Sequence, residues 1–316
     1  MKIGLDVMGG DKAPKSTIEG AILAQQGLSP SDKIVLIGNQ DIIISYLNKA
    51  NINPSIFEIV NAPEKIEMGE QPVKAYSKKQ NSSIVIGFRL LRDKKIDAFA
   101  SAGNTGAMLI GPIYNINVIK GIIRPCTAGL LPKENGGNSI ILDVGTNPDC
   151  KPDVLYQFGI LGSLYAKYVY NIKNPKVGLL NIGEESEKGN LLSQSSFKLM
   201  KKSKDFNFVG NVEGRDLFKD KLDVIVCDGF VGNIVIKQTE AIYHIMDKRG
   251  LVDNYFKRFN YENYGGTPIL GIESTVVVGH GISSAEAIKN MILLSKNIYK
   301  AKLSDKIKNI LSINMF

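Results

Sequence analysis

Two polar loops, a basic helix start and one histidine hold most of the chemistry this sequence offers. Ser101-Ala102-Gly103-Asn104-Thr105-Gly106-Ala107 follows a short apolar run. Its small residues let backbone approach a ligand, and a helix starting there would aim N–H groups and a positive dipole end at an anion. No Lys follows the last glycine, so it is not a Walker A loop. A phosphate or carboxylate cradle is favoured over a plain strand-to-helix turn. Lys78-Lys79-Gln80-Asn81-Ser82-Ser83 puts two cations and two hydroxyls at another helix start, which suits a phosphate; alone, such a stretch is more often an N-cap with surface lysines. Asp143-Val144-Gly145-Thr146-Asn147-Pro148-Asp149-Cys150-Lys151-Pro152 packs carboxylates, an Asn and a Lys into one loop. Mg²⁺ binding is its minor reading, because no regular ligand spacing appears; orienting Lys151 or capping the next helix fits as well. His280, between Gly279 and Gly281, suits proton donation or an anion contact, and a structural role equally. His244 reads as structural. No GxSxG elbow and no Ser/His/Asp set is present.

The elements that must position these loops recur in one pattern. Runs rich in Ile, Val and Leu (3–7, 34–37, 98–100, 140–144, 177–182, 224–227 and 276–278) each end in a glycine-containing polar loop, and most are followed by a helix-period segment. The runs are continuous rather than alternating, as strands buried on both faces of a parallel sheet require. The expectation is a doubly wound, mostly parallel α/β sheet flanked by helices, with its ligand edge at the strand carboxyl ends. Residues 82–95 and the segment after Pro152 read as helices. Ser283-Ser284-Ala285-Glu286 reads as a capping box opening the last helix. The region 296–308 reads as one Lys-studded helix with Ile298, Leu303, Ile307 and Leu311 on its apolar stripe. Tyr243 to Tyr261 reads as helices projecting off the sheet.

Composition limits the alternatives. In 316 residues, 44% are hydrophobic and 22% charged, which excludes a disordered chain. A net charge of +8 favours anionic partners without choosing among them. Cys126, Cys150 and Cys227 stand far apart, so neither a zinc site nor a disulfide framework is expected. No apolar stretch approaches the ~18 residues of a membrane span, and no signal-peptide layout opens the chain. The expectation is a soluble protein of a reducing cytosol.

Taken together the loops resemble the PlsX family of phosphate acyltransferases. The resemblance rests on Asp6-Val7-Met8-Gly9-Gly10-Asp11 with Pro14, Asn81-Ser82-Ser83, the 101–107 loop, Arg124-Pro125, Asp143-Val144-Gly145 with Asn147 and Lys151-Pro152, Gly178-Leu179-Leu180-Asn181-Ile182-Gly183, Lys188-Gly189-Asn190, Gly210-Asn211-Val212-Glu213 with Arg215-Asp216, Asp228-Gly229-Phe230 with Gly232-Asn233, Asn263-Tyr264-Gly265-Gly266 and His280-Gly281. These fall in the family's order over nearly the whole chain. The resemblance implies a single domain over 1–316 with a projecting helical segment near 240–262, and a fold related to phosphotransacetylases and isopropylmalate-type dehydrogenases. It implies transfer of a fatty acyl group from acyl carrier protein to inorganic phosphate, giving acyl phosphate for phospholipid synthesis. It further implies a homodimer, no metal or organic cofactor, a cytoplasmic protein peripheral at the inner membrane face, and a membrane glycerol-phosphate acyltransferase as consumer of the product. The projecting insertion is shorter here than is usual in the family, and Ile282-Ser283-Ser284 stands after Gly281 where the family tends to continue Ser-Ser.

On that reading Ser101, Gly103, Thr105 and Gly106 bind phosphate, helped by Ser82 or Ser83 and a nearby lysine. Asn104, Asn147 and Asn233 are candidate oxyanion donors. Lys151 or His280 stabilises or protonates the departing thiolate. Cys227 is expected to be buried and inert. Three rivals are weighed. An acetyl- or butyryltransferase using CoA shares the chemistry, but the MGGD opening counts against it. A nicotinamide-dependent dehydrogenase lacks its G-x-G-x-x-G. A basic nucleic-acid-binding protein is disfavoured by dispersed charge and the absence of a binding motif, so no nucleic acid is expected.

Overall fold

The structure is a computed structural model and describes residues 1–313. Its contacts divide the described residues into two compact units, one of residues 1–118 and 261–300, the other of 119–260 and 301–313.

The first unit holds β1 (Lys2–Asp6), α1 (Lys15–Gln26), β2 (Lys33–Gly38), α2 (Gln40–Lys49), β3 (Glu58–Asn61), α3 (Pro72–Lys78), α4 (Ser83–Arg92), β4 (Ala98–Ser101) and α5 (Thr105–Asn115). In the second unit lie β5 (Cys126–Pro132), β6 (Asn138–Leu142), α6 (Pro152–Val169), β7 (Lys176–Leu180), α7 (Leu191–Met200), β8 (Asn207–Val212), β9 (Val224–Val226) and α8 (Gly229–Lys248). The chain then returns to the first unit for β10 (Thr267–Leu270), β11 (Thr275–Val278) and α9 (Ala285–Lys300), and ends in the second with α10 (Leu303–Ile313).

Within the first unit the strands run β3-β2-β1-β4-β11, all parallel, with β10 antiparallel beside β11. Within the second they run β6-β9-β7-β8 in parallel, with β5 antiparallel beside β6. This is the mostly parallel, helix-flanked α/β class that the apolar runs predict. Strand residues alternate between two apolar faces, which is why the runs are unbroken. Val35, Ile37 and Phe99 join Ile84, Val85 and Phe88 of α4 in one cluster. On the other side α1 packs on α9, so closely that a Cβ at Gly20 would lie 2.5 Å from Ile288.

Four details depart from the sequence reading. β3, β5, β8 and β10 are strands that the apolar runs miss: β3 and β8 lie at sheet edges, β10 has four residues, and Thr127 and Gly129 interrupt the apolar signal of β5. The capping box is absent: Ser284 accepts from the Ala287 N–H at 3.3 Å, Glu286 pairs with Lys289, and the buried Ser283 hydroxyl has no partner. The region 296–308 is two helices, not one. The chain breaks after Lys300, and Lys302 takes a φ of 52°, although Ile298, Leu303, Ile307 and Leu311 are buried as the stripe requires. The 243–261 segment holds the end of α8, a short 3-10 turn at Phe256–Phe259 and the first residue of another at Tyr261–Asn263; α8 itself starts fourteen residues before Tyr243, at Gly229.

Candidate active site

In the first unit, three loops lock together at the carboxyl ends of β1, β4 and β11. Asp6, fully buried, ends β1. It accepts hydrogen bonds from the Ser101 hydroxyl at 2.7 Å and the Met8 N–H at 3.0 Å, with Ser83 and the Gly9 backbone as further donors. Burial pushes its carboxyl above the usual range, and these four bonds only partly oppose that. The Ser101 hydroxyl also accepts from the Gly103 N–H at 2.9 Å. Gly9 sits against this turn with no room for a side chain: a Cβ would stand 2.7 Å from the Gly103 nitrogen. The third loop closes the cluster through Asp11 N–H to Gly281 O at 2.7 Å and Gly279 N–H to Ser101 O at 2.8 Å.

The predicted phosphate ligands therefore separate into two kinds. The Ser82, Ser83 and Ser101 side chains face inward. All three are buried; Ser82 donates to Lys79 O, and the other two serve Asp6. Thr105 is exposed and Gly106 half-exposed at the first turn of α5. The backbone N–H groups of Asn104, Thr105 and Gly106 make no hydrogen bond among the described residues. Asn104 itself is the helix cap. Its Oδ1 accepts from Ala107 N–H, and its amide donates to the Glu67, Met68 and Glu70 carbonyls at 3.0–3.1 Å. That ties the 67–70 turn to the start of α5 and leaves the amide no free donor. Lys79 is occupied by Glu70 and Lys65 O, whereas Lys78 is exposed. His280 packs against Tyr261 with the rings tilted and their centres 4.7 Å apart.

The second unit builds a matching edge. Asp143, fully buried after β6, accepts five hydrogen bonds: from the Thr127 N–H and hydroxyl, the Val144 N–H, and the backbone and side-chain amides of Asn147. Asn147 also donates to Pro125 O at 2.8 Å. Its amide thus fixes the loop, and the Asp143 oxygens are fully engaged in holding it. Two predicted residues here remain open. Asn233, half-buried on the second turn of α8, makes no side-chain hydrogen bond among the described residues. Lys151 is exposed and has no acidic partner there. It occupies the N-cap of α6 without capping it, a position where the helix dipole disfavours a cation. Arg124 steadies the same loop by donating to Asp149 O at 2.9 Å.

The sequence reading quoted Lys188 within a motif without giving it a role. The loop that carries it is strapped by three amide side chains: Asn181 donates to Lys188 O, Asn211 to Glu185 O, and Gln194 to the Glu187 and Gly189 carbonyls. Gly189 takes a φ of +88°, and any side chain there would run into Asn181. Lys188 thus stands exposed on a rigid loop. Two of these amides are close in sequence, but the third, Asn211, reaches the loop from 26 residues away and is invisible to local pattern. The cysteines offer no nucleophile: Cys126 and Cys227 are buried with thiols pushed far up, and burial beside Asp143 and Asp228 pushes Cys150 up to about 12.

The fold matches that of phosphotransacetylases. One from Streptococcus pyogenes superposes with a TM-score of 0.67 at 18% identity over 94% of each chain, and the EutD phosphotransacetylase of Staphylococcus aureus with 0.65 at 17%, over 95% of this chain and 94% of that one. The sequence places the chain more closely. A family model described as fatty acid synthesis protein matches residues 1–306. A phosphate acyltransferase of Dictyoglomus thermophilum is 43% identical over 326 aligned positions, covering 97% of this chain and 96% of the relative. Another, of Caldicellulosiruptor saccharolyticus, is 43% identical with 98% and 97% covered. The chain belongs to this phosphate acyltransferase (PlsX) family and is an acyltransferase. No helix among the described residues is long and apolar enough to cross a membrane.

Proposed function

We propose that the protein transfers a fatty acyl group from acyl carrier protein to inorganic phosphate. A phosphate oxygen attacks the thioester carbonyl carbon, the carbon–sulfur bond breaks, and the proton of hydrogen phosphate ends on the carrier thiol. The products are acyl phosphate and free carrier protein. The nucleophile is already anionic, so the protein must supply positioning and charge compensation. Positioning can be worth ~7–11 kcal/mol, and each donor aimed at the oxyanion ~3–4 kcal/mol.

One observation carries the phosphate half. The Asn104, Thr105 and Gly106 N–H groups open α5 unengaged, in a loop whose buried side chains are all internally satisfied. Backbone dipoles held this way suit a multiply charged oxyanion. In this reading Ser82, Ser83, Ser101, Gly103 and the Asn104 side chain hold the cradle, and the N–H groups of Asn104, Thr105 and Gly106 form it. Asn233 is the open amide for the oxyanion, with Asn147 fixing its own loop. Lys151 and His280 are candidates for the leaving sulfur. The net charge of +8 suits an acidic carrier protein. A homodimer, peripheral association with the inner membrane face and delivery of acyl phosphate to a membrane glycerol-phosphate acyltransferase complete the proposal.

The test is to incubate the protein with hexadecanoyl carrier protein and orthophosphate and to measure release of free carrier protein. Release that requires phosphate supports the proposal, and release unchanged without phosphate overturns it. A parallel arm with hexadecanoyl-CoA separates carrier-protein specificity from CoA use.

A further inference from the structure

In the first unit, the 67–70 turn that Asn104 tethers presents one apolar side chain, Met68. Ile66, two residues earlier, anchors the turn in the core cluster that holds Val35 and Phe99, whereas Met68 is 39% exposed. The Met68 carbonyl accepts from the Asn104 amide at 3.1 Å. Its side chain reaches Gly281, where a Cβ would lie 2.7 Å from the Met68 methyl carbon. Gly281 belongs to a separate loop, and the 101–104 segment touches both loops. Asn104 holds the 67–70 carbonyls, while Ser101 O accepts from the Gly279 N–H at 2.8 Å. A Cβ at Gly279 would also lie 3.2 Å from the Ala102 Cβ. Met68 therefore bridges the two loops that flank the 101–104 segment, and its exposure places it on the solvent side of that segment, beside the first turn of α5. The carboxylates of the same turn are neutralised locally, Glu67 by Lys65 at 3.0 Å and Glu70 by Lys79 at 2.6 Å.

We infer that Met68 is the apolar contact for the thioester end of the acyl donor, holding the acyl carbon and its first methylenes over the phosphate; the inference rests on the acyl-transfer reading. Three observations support it. The first is proximity. Reacting atoms must approach to ~3–3.5 Å, so a carbon attacked by phosphate on the Asn104, Thr105 and Gly106 N–H groups lies at the mouth of that cradle. Met68 is hydrogen-bonded to the residue that caps it. The second is polarity. The N–H groups suit the anion, and an alkyl chain gains only from apolar surface, which the Met68 thioether supplies next to them. The paired Glu67 and Glu70 leave this turn no bare carboxylate to repel the phosphate. The third is redundancy in the fold. Ile66 and the Asn104 amide already fix the turn, so it stands without the Met68 side chain.

The experiment measures KM for both substrates in Met68→Gln, which keeps the side-chain length and makes its end polar, and in Met68→Leu, which keeps it apolar. Met68→Gln is expected to raise the KM for hexadecanoyl and for octanoyl carrier protein about tenfold each. The two rise together because the contact is with carbons that both chains share. The phosphate KM should stay within about twofold of the parent, and Met68→Leu should restore the donor KM. An unchanged donor KM in Met68→Gln overturns the assignment. So does a phosphate KM that rises as much as the donor KM, which would make Met68 a brace of the cradle, or a loss confined to one chain length. The chain carries no Trp, so Met68→Trp places a sole indole at the mouth of the cradle. Without phosphate, both acylated carrier proteins should blue-shift its emission and free carrier protein should not; a silent indole, or an equal shift with free carrier protein, overturns the contact. Absence of phosphate-dependent release by the unsubstituted protein with either donor would instead strike the acyl-transfer reading. The Met68→Trp emission, which needs no turnover, still decides the contact in that case.

Discussion

Asp6 in the first unit and Asp143 in the second are both fully buried at the carboxyl end of a strand, and each gathers the loop that follows it. They do so with different donors. Asp6 meets two serine hydroxyls besides backbone N–H groups. Asp143 meets one hydroxyl and four N–H groups, two on each oxygen. A hydroxyl can turn from donor to acceptor, whereas an N–H cannot. The Asp6 cluster can therefore reorganise around a group that has gained hydrogen, and the Asp143 cluster requires an acceptor at both oxygens. Two loops with similar composition thus differ in tolerance because of what surrounds the carboxylate.

The largest effect that would break this comparison is expected at Asp143. In Asp143→Asn, whichever oxygen becomes NH₂ faces two N–H donors, either Thr127 and Val144 or the two of Asn147. A loss of about 3 kcal/mol or more in urea unfolding is expected; a variant as stable as the parent would show that the N–H count is irrelevant. Asn104→Ala comes next. It removes the α5 cap and three carbonyl tethers, and about 2 kcal/mol of stability is expected to go with them. The phosphate KM should rise at least severalfold, because the first turn of α5 loses its anchor. Near-normal kinetics would remove Asn104 from the cradle.

The smallest effect is expected at Asp6, where Asp6→Asn should cost about 1 kcal/mol or less because the serines can reorient. Its pH dependence sharpens the point. The Asp6 carboxyl is raised in the folded protein, so the folded state holds its proton after the unfolded chain has released one. This group's contribution is present in full below the ordinary value of 3.8 and is lost as pH rises from there through the folded value. Thermal melts of the parent and Asp6→Asn should therefore differ most at low pH, with the gap closing as pH rises through that window. A gap that widens would reverse the sign of the argument.

The sequence by itself determined the architecture and the family. Short, β-branched, unbroken apolar runs that each end in a glycine-containing loop fit strands covered on both faces, with the loops at their carboxyl ends. The ordered motifs, from Met8-Gly9-Gly10-Asp11 to His280-Gly281, were enough to point to the family. The helix break at Ala301-Lys302 was hidden, because the apolar stripe continues through it in phase. Only the tertiary structure decided which polar residues are open and which are consumed. Ser101 and Asn104 look like ligands in a list of residues. Asp6 and the 67–70 carbonyls, from more than thirty positions away in the chain, engage their polar atoms and make them supports. A buried polar atom must find a partner, and that partner is chosen by the fold.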